Sequence, residues 1–362
     1  MAQKLPAAIV FADEKEIKQL DAKDRKIFSV LAHNSRVSLT QLGKIVALSQ
    51  ENLFYRIKKL QQQKVIIDFF TAIDSRKLGI VVFVIFLKLS KISKDGEEKL
   101  ISYFVKNKHI SWITTTAGQF DMILMVQAMS VYEFESVWQA IVKDKGEHFA
   151  EIDIGIMTEL NHSPAYYPVL ENTFQIPSSQ LNKMPYARSF SSAQKNVPKI
   201  ISFDKQDLAI LLEMKDNCRI KLTELGEKIS MSSQNVDFRI KQLIKKGVIM
   251  SFGYRPNYQK LGFQYYTIRL KVGSVDEQQI QKMKKYIATL PECFYYFRMI
   301  GQWDFSFHLF YKDARGLNNF FSLLRERFGD IIVSSDSTIH LDQFCYSYIS
   351  QSSFEALMKK LD

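Results

Sequence analysis

The sequence contains no long apolar run and no recognisable export signal. Its longest apolar stretch, Ile80–Leu87, has the length of a strand, whereas a membrane-spanning helix needs about 20 apolar residues. The N-terminal segment has a single basic residue, Lys4, before a short apolar patch, and it lacks the long apolar core and cleavage site of a signal peptide. We therefore expect a cytoplasmic protein that makes no membrane contact.

Cysteine, histidine and catalytic motifs are also sparse. The three cysteines (Cys218, Cys293 and Cys345) form no C-x-x-C pair, and their odd number is typical of free thiols in a reducing compartment. The sequence has no P-loop, no G-x-G-x-x-G after a strand, no G-x-S-x-G and no H-E-x-x-H. Six histidines lack the spacing of metal ligands: His33, His109, His148, His162, His308 and His340. We expect no metal, no cofactor and no catalytic residue.

The chain does contain an internal repeat at a constant offset of 183 residues. Ser38–Ile66 returns as Lys221–Ile249, and between Leu20 and Ile67 17 of 48 positions are identical in the second copy. The same offset relates two later motifs, Lys-Leu-Gly and Gly-x-aromatic-Asp. A repeat of this length is a duplicated module, because solenoid units are only about 20–50 residues long. With 362 residues the chain has room for more than one hydrophobic core.

The first part of each copy has the pattern of three short helices followed by a strand. Asp21 and Asp204 are placed to cap the first helix, and the third helix begins at Ser49 or Ser232. An apolar stripe with i, i+4, i+7 spacing gives the third helix one buried face. The stripe is Leu53, Ile57 and Leu60 in copy 1 and Val236, Ile240 and Leu243 in copy 2. A β-type run follows, Val65–Phe70 in copy 1 and Val248–Tyr254 in copy 2. Each run supplies a strand of a wing, so the pattern predicts a winged helix-turn-helix.

The second part of each copy has the element order βαββαβ, which predicts a ferredoxin-like sandwich. The fold class is therefore α+β, with the whole unit duplicated in tandem. A stretch with five prolines and many Ser and Asn lies between the copies and indicates a linker. The predicted divisions are an N-terminal extension (1–19), a winged helix-turn-helix (20–75) and a ferredoxin-like effector/dimerisation-type domain (76–160) in copy 1, a linker (161–202), the same two domains in copy 2 (203–258 and 259–345) and a C-terminal tail (346–362).

The third helix of each copy carries polar residues in its N-terminal half and on its outer face, as a helix that reads the DNA major groove must. Candidate contacts are Ser49, Gln50, Glu51, Asn52, Tyr55, Lys58 and Lys59 in copy 1, and Ser232, Ser233, Gln234, Asn235, Phe238, Lys241 and Lys245 in copy 2. Arg56 and Arg239 lie one turn after the shared Asn and are expected to reach a phosphate. The net charge of +11 permits double-stranded DNA as the partner. The alternative is a solvated face on a protein-docking module.

Taken together, these motifs resemble the Lrp/AsnC (leucine-responsive / feast-famine) family of transcription regulators. The resemblance rests on D-x-x-D-x-x-I, N-x-R, L-T-x-L-G, S-x-x-N-x-x-x-R-I-K-x-L and K-L-G, followed by the βαββαβ part, and covers Leu20–Leu160 and Phe203–Leu341. It implies a C-terminal domain that pairs two subunits through its sheet and binds a small effector, often an amino acid. Family members usually carry one copy per chain, so here we expect the two copies to pair within one chain. Assembly into higher oligomers through the outer faces stays open.

The Gly-x-aromatic-Asp motif has two interpretations. From the residues alone it is a hairpin, in which Gly permits the turn and Asp accepts hydrogen bonds from backbone N–H groups. The resemblance implies instead that an effector binds near this turn at a subunit interface. The implied effector-binding residues are Gly118, Phe120 and Asp121 in copy 1 and Gly301, Trp303 and Asp304 in copy 2.

The sequence thus predicts a sequence-specific DNA-binding transcription regulator, built as a single-chain pseudo-dimer and modulated by a small effector such as an amino acid. We expect no enzyme activity, and two alternatives stay open. Sirohaem decarboxylases resemble the same family and occur as paired or fused copies, but they need propionate-binding Arg and catalytic His residues. No histidine here recurs at the matching position of the other copy. The second alternative is a regulator-derived docking module that does not bind DNA.

Overall fold

The computed structural model describes residues 19–162, 176, 184, 186, 199–274 and 276–361. Both copies have the same order of helices and strands, and one further helix follows copy 2. Copy 1 contains α1 (Ala22–His33), α2 (Leu39–Val46), α3 (Gln50–Gln62), β1 (Ile66–Ile73), β2 (Val81–Leu89), α4 (Lys94–Lys106), β3 (Ile110–Ala117), β4 (Met122–Ala128), α5 (Val131–Lys145) and β5 (Phe149–His162). Copy 2 contains α6 (Lys205–Lys215), α7 (Leu222–Lys228), α8 (Ser233–Lys245), β6 (Ile249–Pro256), β7 (Gln264–Val272), α9 (Glu277–Ala288), β8 (Cys293–Ile300), β9 (Phe305–Tyr311), α10 (Ala314–Phe328) and β10 (Ile332–Tyr346), and the last helix is α11 (Gln351–Leu361).

Side-chain caps fix the starts of the helices in the helix-turn-helix units. Asp21, Ser49, Asp204 and Ser232 each accept a hydrogen bond from the backbone N–H three residues later, at 2.7, 3.2, 2.9 and 3.3 Å respectively. Each cap satisfies an N–H group that has no partner within the helix. The apolar stripes expected on the third helices are buried in both copies. Local sequence therefore determines where these helices begin and which face they bury.

A glycine allows the close turn between the second and third helices of each unit. A Cβ atom on Gly43 would lie 2.6 Å from the carbonyl oxygen of Leu48, and one on Gly226 would lie 2.3 Å from that of Met231. The N–H of Leu48 donates to the carbonyl oxygen of Gly43 (3.2 Å), and the N–H of Met231 donates to that of Gly226 (2.8 Å). Because the obstructing atoms belong to backbone, a side chain at either position would push the third helix away.

The two strands expected to contribute to wings pair with each other. β1 and β6 form an antiparallel two-stranded sheet, with Phe69 opposite Tyr254 and Thr71 opposite Phe252. Within the described residues, the strand that follows each helix-turn-helix thus finds its hydrogen-bonding partner in the other copy. The two helix-turn-helix units are joined directly through backbone hydrogen bonds, with a shift of register near each end of the ladder.

The ferredoxin-like parts also join, and together they form a closed barrel. Copy 1 contributes β3-β4-β2-β5 and copy 2 contributes β8-β9-β7-β10, each in ferredoxin-like order. The sheets meet at two antiparallel seams, where Ile156 lies opposite Ile300 and Ile339 lies opposite Ala117. Closure leaves neither sheet with an unpaired edge in this region, which removes a common site of aggregation.

Alternation along the strands separates an outer core from an inner one. On β2, Phe83 points outward and stacks on Phe134 of α5, with the ring centroids 3.7 Å apart. Val84 and Phe86 point inward and belong to the same core as Phe297 of copy 2. The period-two alternation of a strand thus gives one face to helices of the same copy and the other face to the partner copy.

The segment expected as a C-terminal tail contains α11, which connects parts of both copies. It contacts α6 of copy 2 and β4 of copy 1. Just before it, the Gln127 side chain donates to the carbonyl oxygen of Tyr348 (3.0 Å) and accepts from the N–H of Ser350 (2.7 Å). Among the residues that the structure describes, no helix combines the length and apolarity that crossing a membrane requires.

Replacing Gly226 with Ala should lower the free energy of unfolding by about 1–2 kcal/mol, because overpacking against the Met231 carbonyl outweighs the better helix propensity of Ala. Gly273→Ala is the matched control, since the nearest atom to its Cβ is 3.5 Å away. Denaturant unfolding followed by circular dichroism measures both. Equal stability of the two variants would show that the turn accommodates a side chain.

Candidate functional site

The third helices, α3 and α8, are the recognition helices of the two helix-turn-helix units. Nearly all of the predicted contact residues are exposed on them. Those exposed in copy 1 are Ser49, Gln50, Glu51, Asn52, Tyr55, Lys58 and Lys59, and those exposed in copy 2 are Ser232, Gln234, Asn235, Phe238, Lys241 and Lys245. Ser233 is half-buried, as are Arg56 and Arg239. The structure therefore brings amide, hydroxyl and ammonium groups together on one accessible face in each copy.

Exposed aromatic rings stand beside these polar groups. Tyr55 is 66% exposed and Phe238, its equivalent in copy 2, is 61% exposed. Phe54 is 60% exposed, and the Lys58 ammonium lies 5.9 Å from its ring centroid. Phe54 lies off the apolar stripe of α3, at a position that could face the groove. An exposed ring on a recognition helix can contact a thymine methyl group.

Arg56 does not project outward in the manner expected of a phosphate anchor. One guanidinium nitrogen lies 2.7 Å from a carboxylate oxygen of Asp21 and 2.7 Å from one of Asp24. These contacts connect the middle of α3 to the start of α1. The hydrogen bonds that Arg56 donates to the two carboxylates raise its pKa.

The same arrangement holds Arg239 in copy 2. Its guanidinium lies 2.9 Å from Asp204 and 2.8 Å from Asp207 at the start of α6. Because both arginines are bound by two carboxylates of their own unit, the structure gives them a bracing role. Contact of Arg56 and Arg239 with phosphate stays a prediction, and it would require these ion pairs to open. The spacing of the recognition-helix string could not reveal this, since the aspartates lie 32–35 residues earlier.

A second pair of arginines joins the two helix-turn-helix units. Arg36, between α1 and α2, donates to the carbonyl oxygens of Cys218 and Ile220 in copy 2. Arg219, its equivalent, donates reciprocally to copy 1. The acceptors there are the carbonyl oxygens of Ser35 and Val37. Burial lowers the pKa of Arg219. We call Arg36 and Arg219 the arginine clasp, because each guanidinium binds the loop from which the other projects.

The lysines of the two Lys-Leu-Gly motifs extend this reciprocity to the recognition helices. The Lys77 ammonium donates to the carbonyl oxygen of Lys246 (2.9 Å), the C-cap of α8. The Lys260 ammonium donates to the carbonyl oxygen of Gln63 (2.9 Å), the C-cap of α3. A cation is favourable at a helix C-terminus, where backbone carbonyls lack partners. Each copy thus caps the recognition helix of the other.

The aspartates of the Gly-x-aromatic-Asp hairpins have partners within their own copies. Asp121 accepts from the N–H of Leu89 (2.7 Å) and from the Lys88 ammonium (2.9 Å). Asp304 accepts from the N–H of Val272 (2.9 Å) in the same manner. These are the contacts that the turn interpretation expects. The hairpins nevertheless lie at the seams between copies, as the effector interpretation expects.

Between the hairpins, the two copies differ at a buried position. Copy 1 has Phe86 where copy 2 has Arg269, and the Arg269 side chain is fully buried. Its guanidinium carbon lies 4.6 Å from the ring centroids of Phe86 and Phe120 and 5.1 Å from that of Trp303. It forms an ion pair with Asp336. A charged residue in the apolar strand β7 was the sequence signal for this asymmetry, and the two hairpins are therefore not equivalent.

The barrel interior of copy 2 contains two buried histidines. The Thr267 hydroxyl lies 3.2 Å from Nδ1 of His308 and also hydrogen-bonds Nε2 of His340. Burial lowers the pKa of His308 to about 3 and that of His340 well below the ordinary value. Met125 and Met157 occupy the equivalent positions of copy 1. In the described part of the chain, no cluster of three or more His, Cys, Asp or Glu residues could hold a metal ion.

Comparison with known families matches the two helix-turn-helix units separately. Residues 20–61 match an AsnC-type helix-turn-helix domain, and residues 203–250 match a winged helix-turn-helix DNA-binding domain. The chain is 31% identical over 109 residues to an uncharacterised HTH-type transcriptional regulator of Pyrococcus horikoshii. That alignment covers 30% of this chain and 71% of the relative. It is 32% identical over 101 residues to the HTH-type transcriptional regulator LrpC of Bacillus subtilis, covering 28% of this chain and 69% of that protein.

Comparison with solved structures gives a likeness over nearly the whole chain. The crystal structure of the siroheme decarboxylase NirDL aligns with a TM-score of 0.58 and 12% identity, covering 93% of this chain and 98% of that one. At this identity the likeness shows the fold alone. The closed arrangement of two copies in one chain is therefore a fold found in another protein.

Replacing Arg239 with Ala should lower the free energy of unfolding by about 1–2 kcal/mol, because two partly exposed charged hydrogen bonds are lost and two carboxylates face each other without their shared cation. The matched control is Lys245→Ala, an exposed cation on the same helix, which should change stability by less than about 0.5 kcal/mol. Both values come from denaturant unfolding without DNA. A stability loss no larger than the control's would show that the two ion pairs do not brace the unit.

Proposed function

This chain belongs to the Lrp/AsnC family of transcription regulators, of which it carries two tandem copies, and we propose that it binds double-stranded DNA sequence-specifically as a single-chain pseudo-dimer. The observation that carries the proposal is the pair of exposed, capped recognition helices, held in one unit by the β1–β6 sheet and the arginine clasp. Both helices present hydroxyl and amide groups in their N-terminal halves. Such groups suit base edges and phosphates.

The arrangement of charge supports binding to a duplex. Lys58, Lys59, Lys241 and Lys245 are exposed on the recognition helices, where ammonium groups can neutralise phosphates. Since the two helices are fixed relative to each other, the protein would meet half-sites at one preferred separation. That separation would be one or more helical turns, each about 34 Å.

The proposal includes a small effector, such as an amino acid, at the seam between the copies. The hairpins at Gly118 and Gly301 lie against the last strand of the other copy, so a ligand there would contact both copies. Arg269 also donates to Gln119 of the first hairpin (3.3 Å). Phe86, the residue of copy 1 that corresponds to Arg269, cannot donate a hydrogen bond to the second hairpin. We therefore propose that the two hairpins differ in ligand affinity.

Selection of bound fragments from a random DNA pool, at stated salt, tests the proposed function directly. The protein should enrich sequences with two half-sites at one constant separation, and binding should weaken steeply as salt increases. Absence of any enrichment over bulk DNA would contradict DNA binding. It would favour the docking alternative, in which the recognition helices contact protein.

An enzyme acting on sirohaem is the second candidate, and the likeness in fold to NirDL over both whole chains favours it. The buried histidines weigh against it. His308 and His340 are engaged with Thr267 and stay uncharged near neutral pH, and methionines replace them in copy 1. Incubation with sirohaem, followed by absorption spectroscopy and product analysis, separates the candidates. A bound-pigment spectrum together with decarboxylated product would overturn the regulator proposal, whereas an unchanged free-sirohaem spectrum supports it.

We expect one chain to be the smallest species that binds DNA. The barrel and the shared sheet already pair the two copies internally, so the two-fold unit that other proteins make from two subunits would be complete in one chain. Light scattering at low concentration, combined with a binding titration, measures this. Loss of DNA binding whenever the protein dissociates to single chains would show that a second chain is required.

We also expect an operator with two unequal half-sites, because the recognition helices differ at positions that could face the groove. The differences are Gln50 against Ser233, Glu51 against Gln234, Phe54 against Asp237 and Tyr55 against Phe238. Glu accepts from cytosine N4 and Gln pairs with adenine. The triple variant Gln50→Ser, Glu51→Gln, Tyr55→Phe gives copy 1 the residues of copy 2 at three of these four positions.

Selection with that triple variant should make the half-sites more alike, with each mismatched base pair costing about 1–3 kcal/mol. Lys44→Ala, at an exposed cation on α2 outside the proposed contact set, is the control and should leave the selected sequence unchanged. A native protein that already selects a perfect palindrome, and a variant that keeps it, would show that the helices do not read different sequences.

A further inference from the structure

We propose that Tyr186, in the segment between the two copies, is a specificity-determining positioning residue that holds the Asp237 carboxylate of α8 away from DNA. The inference rests on the proposed DNA-binding function. Asp237 lies on the recognition helix one position before Phe238 and four before Lys241. A carboxylate at such a place would accept from cytosine if free, and it would repel phosphate.

Both oxygens of this carboxylate have partners on the protein. The Tyr186 hydroxyl donates to Oδ1 of Asp237, and the Lys241 ammonium lies 2.6 Å from Oδ2. Burial, and then the hydrogen bond to Asp237, raise the pKa of Tyr186 to about 12, so its hydroxyl stays protonated near neutral pH. Burial alone would raise the pKa of Asp237, but the hydrogen bonds from Lys241 and Tyr186 bring it below its ordinary value. The carboxylate is thus charged and engaged.

The Tyr186 ring is held by both helix-turn-helix units. Its centroid lies 5.7 Å from that of Phe252 on β6, in an edge-to-face arrangement. The guanidinium carbon of Arg36, a member of the arginine clasp, lies 5.7 Å from the same centroid. Because two units fix the ring, its hydroxyl has a defined position over the side of α8.

The equivalent position of copy 1 has a different environment. Phe54 there is 60% exposed, whereas the Asp237 side chain is 28% exposed. Tyr186 therefore distinguishes the two recognition helices beyond their own sequences. With Asp237 engaged, the exposed groups that α8 offers to a base edge are those of Ser232, Gln234, Asn235 and Phe238.

Tyr186→Phe removes the hydroxyl and keeps the ring in place. We expect it to weaken binding to the native operator by about threefold to tenfold, because a freed carboxylate beside the DNA repels phosphate. The half-site read by α8 should gain a preference for cytosine, while the other half-site stays unchanged. Combining Tyr186→Phe with Asp237→Asn removes the freed charge and should restore affinity to within about twofold. Tyr132→Phe, at a tyrosine that is 81% exposed on α5, is the control and should change nothing.

Two results would overturn the inference. One is native affinity and an unchanged half-site in Tyr186→Phe, which would reduce Tyr186 to a packing residue. The other is an equal loss of affinity at both half-sites accompanied by a lower Tm, which would make the role of Tyr186 one of stability alone.

Carbon-13 carboxyl NMR provides a readout without DNA, in which the pKa of Asp237 should rise in Tyr186→Phe. Absence of DNA binding by the wild-type protein would overturn the proposed function and this specificity role together, whereas an unchanged Asp237 pKa would contradict the contact itself.

Discussion

Hydrogen bonding between strands of different copies is the constraint on which the rest of this structure depends. β1 pairs with β6, and the ferredoxin-like sheets join at the β5–β8 and β3–β10 seams. A single copy would leave these strand edges open, with unpaired N–H and C=O groups and an exposed apolar inner face. Pairing satisfies the backbone and buries that face in one step. The arginine clasp and the lysines of the Lys-Leu-Gly motifs then add side-chain hydrogen bonds to backbone carbonyls across the same boundary.

Fusion of the copies permits differences that a symmetric dimer cannot have. Two identical chains that pair about an axis must place the same residue on both sides, so an arginine at the position of Arg269 would meet a second arginine there. In this chain Arg269 meets Phe86 and forms a cation–π contact (4.6 Å). The copies also differ at the position of the buried His308, where copy 1 has a methionine. They differ again at Asp237, where copy 1 has Phe54. The structure has one scaffold with two-fold character and two sets of functional residues.

Sequence patterns predicted the fold and the recognition helices because those features are encoded locally. Capping residues such as Asp21 and Ser49, the i, i+4, i+7 stripe and the βαββαβ order each leave a signal within a short window. Contacts between the copies leave no such signal. The β1–β6 ladder joins backbone groups that every residue possesses, and Arg36 binds carbonyls about 182 residues away. For the same reason the pattern assigned Arg56 to phosphate, since the spacing on α3 does not show the carboxylates of α1 beside it.

Side-chain exposure and pairing also determined which candidate residues remain in the site. Lys58 and Lys245 are accessible and keep their proposed contact roles. Lys241 pairs with Asp237, and Asp121 and Asp304 accept from backbone N–H groups as a turn requires. Tyr186 could not be found from sequence, because it acts through neighbours that only the folded chain supplies. Arg269 left a signal as a charged residue in an apolar strand, but its partners did not. Helix α11 was not predicted, because its 11 residues are too few for a clear helical periodicity. Its packing partners lie in both copies, and the sequence does not show them.

The central claim is that pairing within one chain fixes the two helix-turn-helix units relative to each other. The most direct test is the distance between two spin labels, measured by pulsed electron paramagnetic resonance. The labels are attached at the equivalent exposed positions Lys44→Cys and Glu227→Cys, in a Cys345→Ser background. The account predicts one narrow distance distribution that is the same at every protein concentration and after dilution with unlabelled protein. A broad distribution, or a distance that disappears on that dilution, would contradict it, because the units would then be mobile or would be paired between chains.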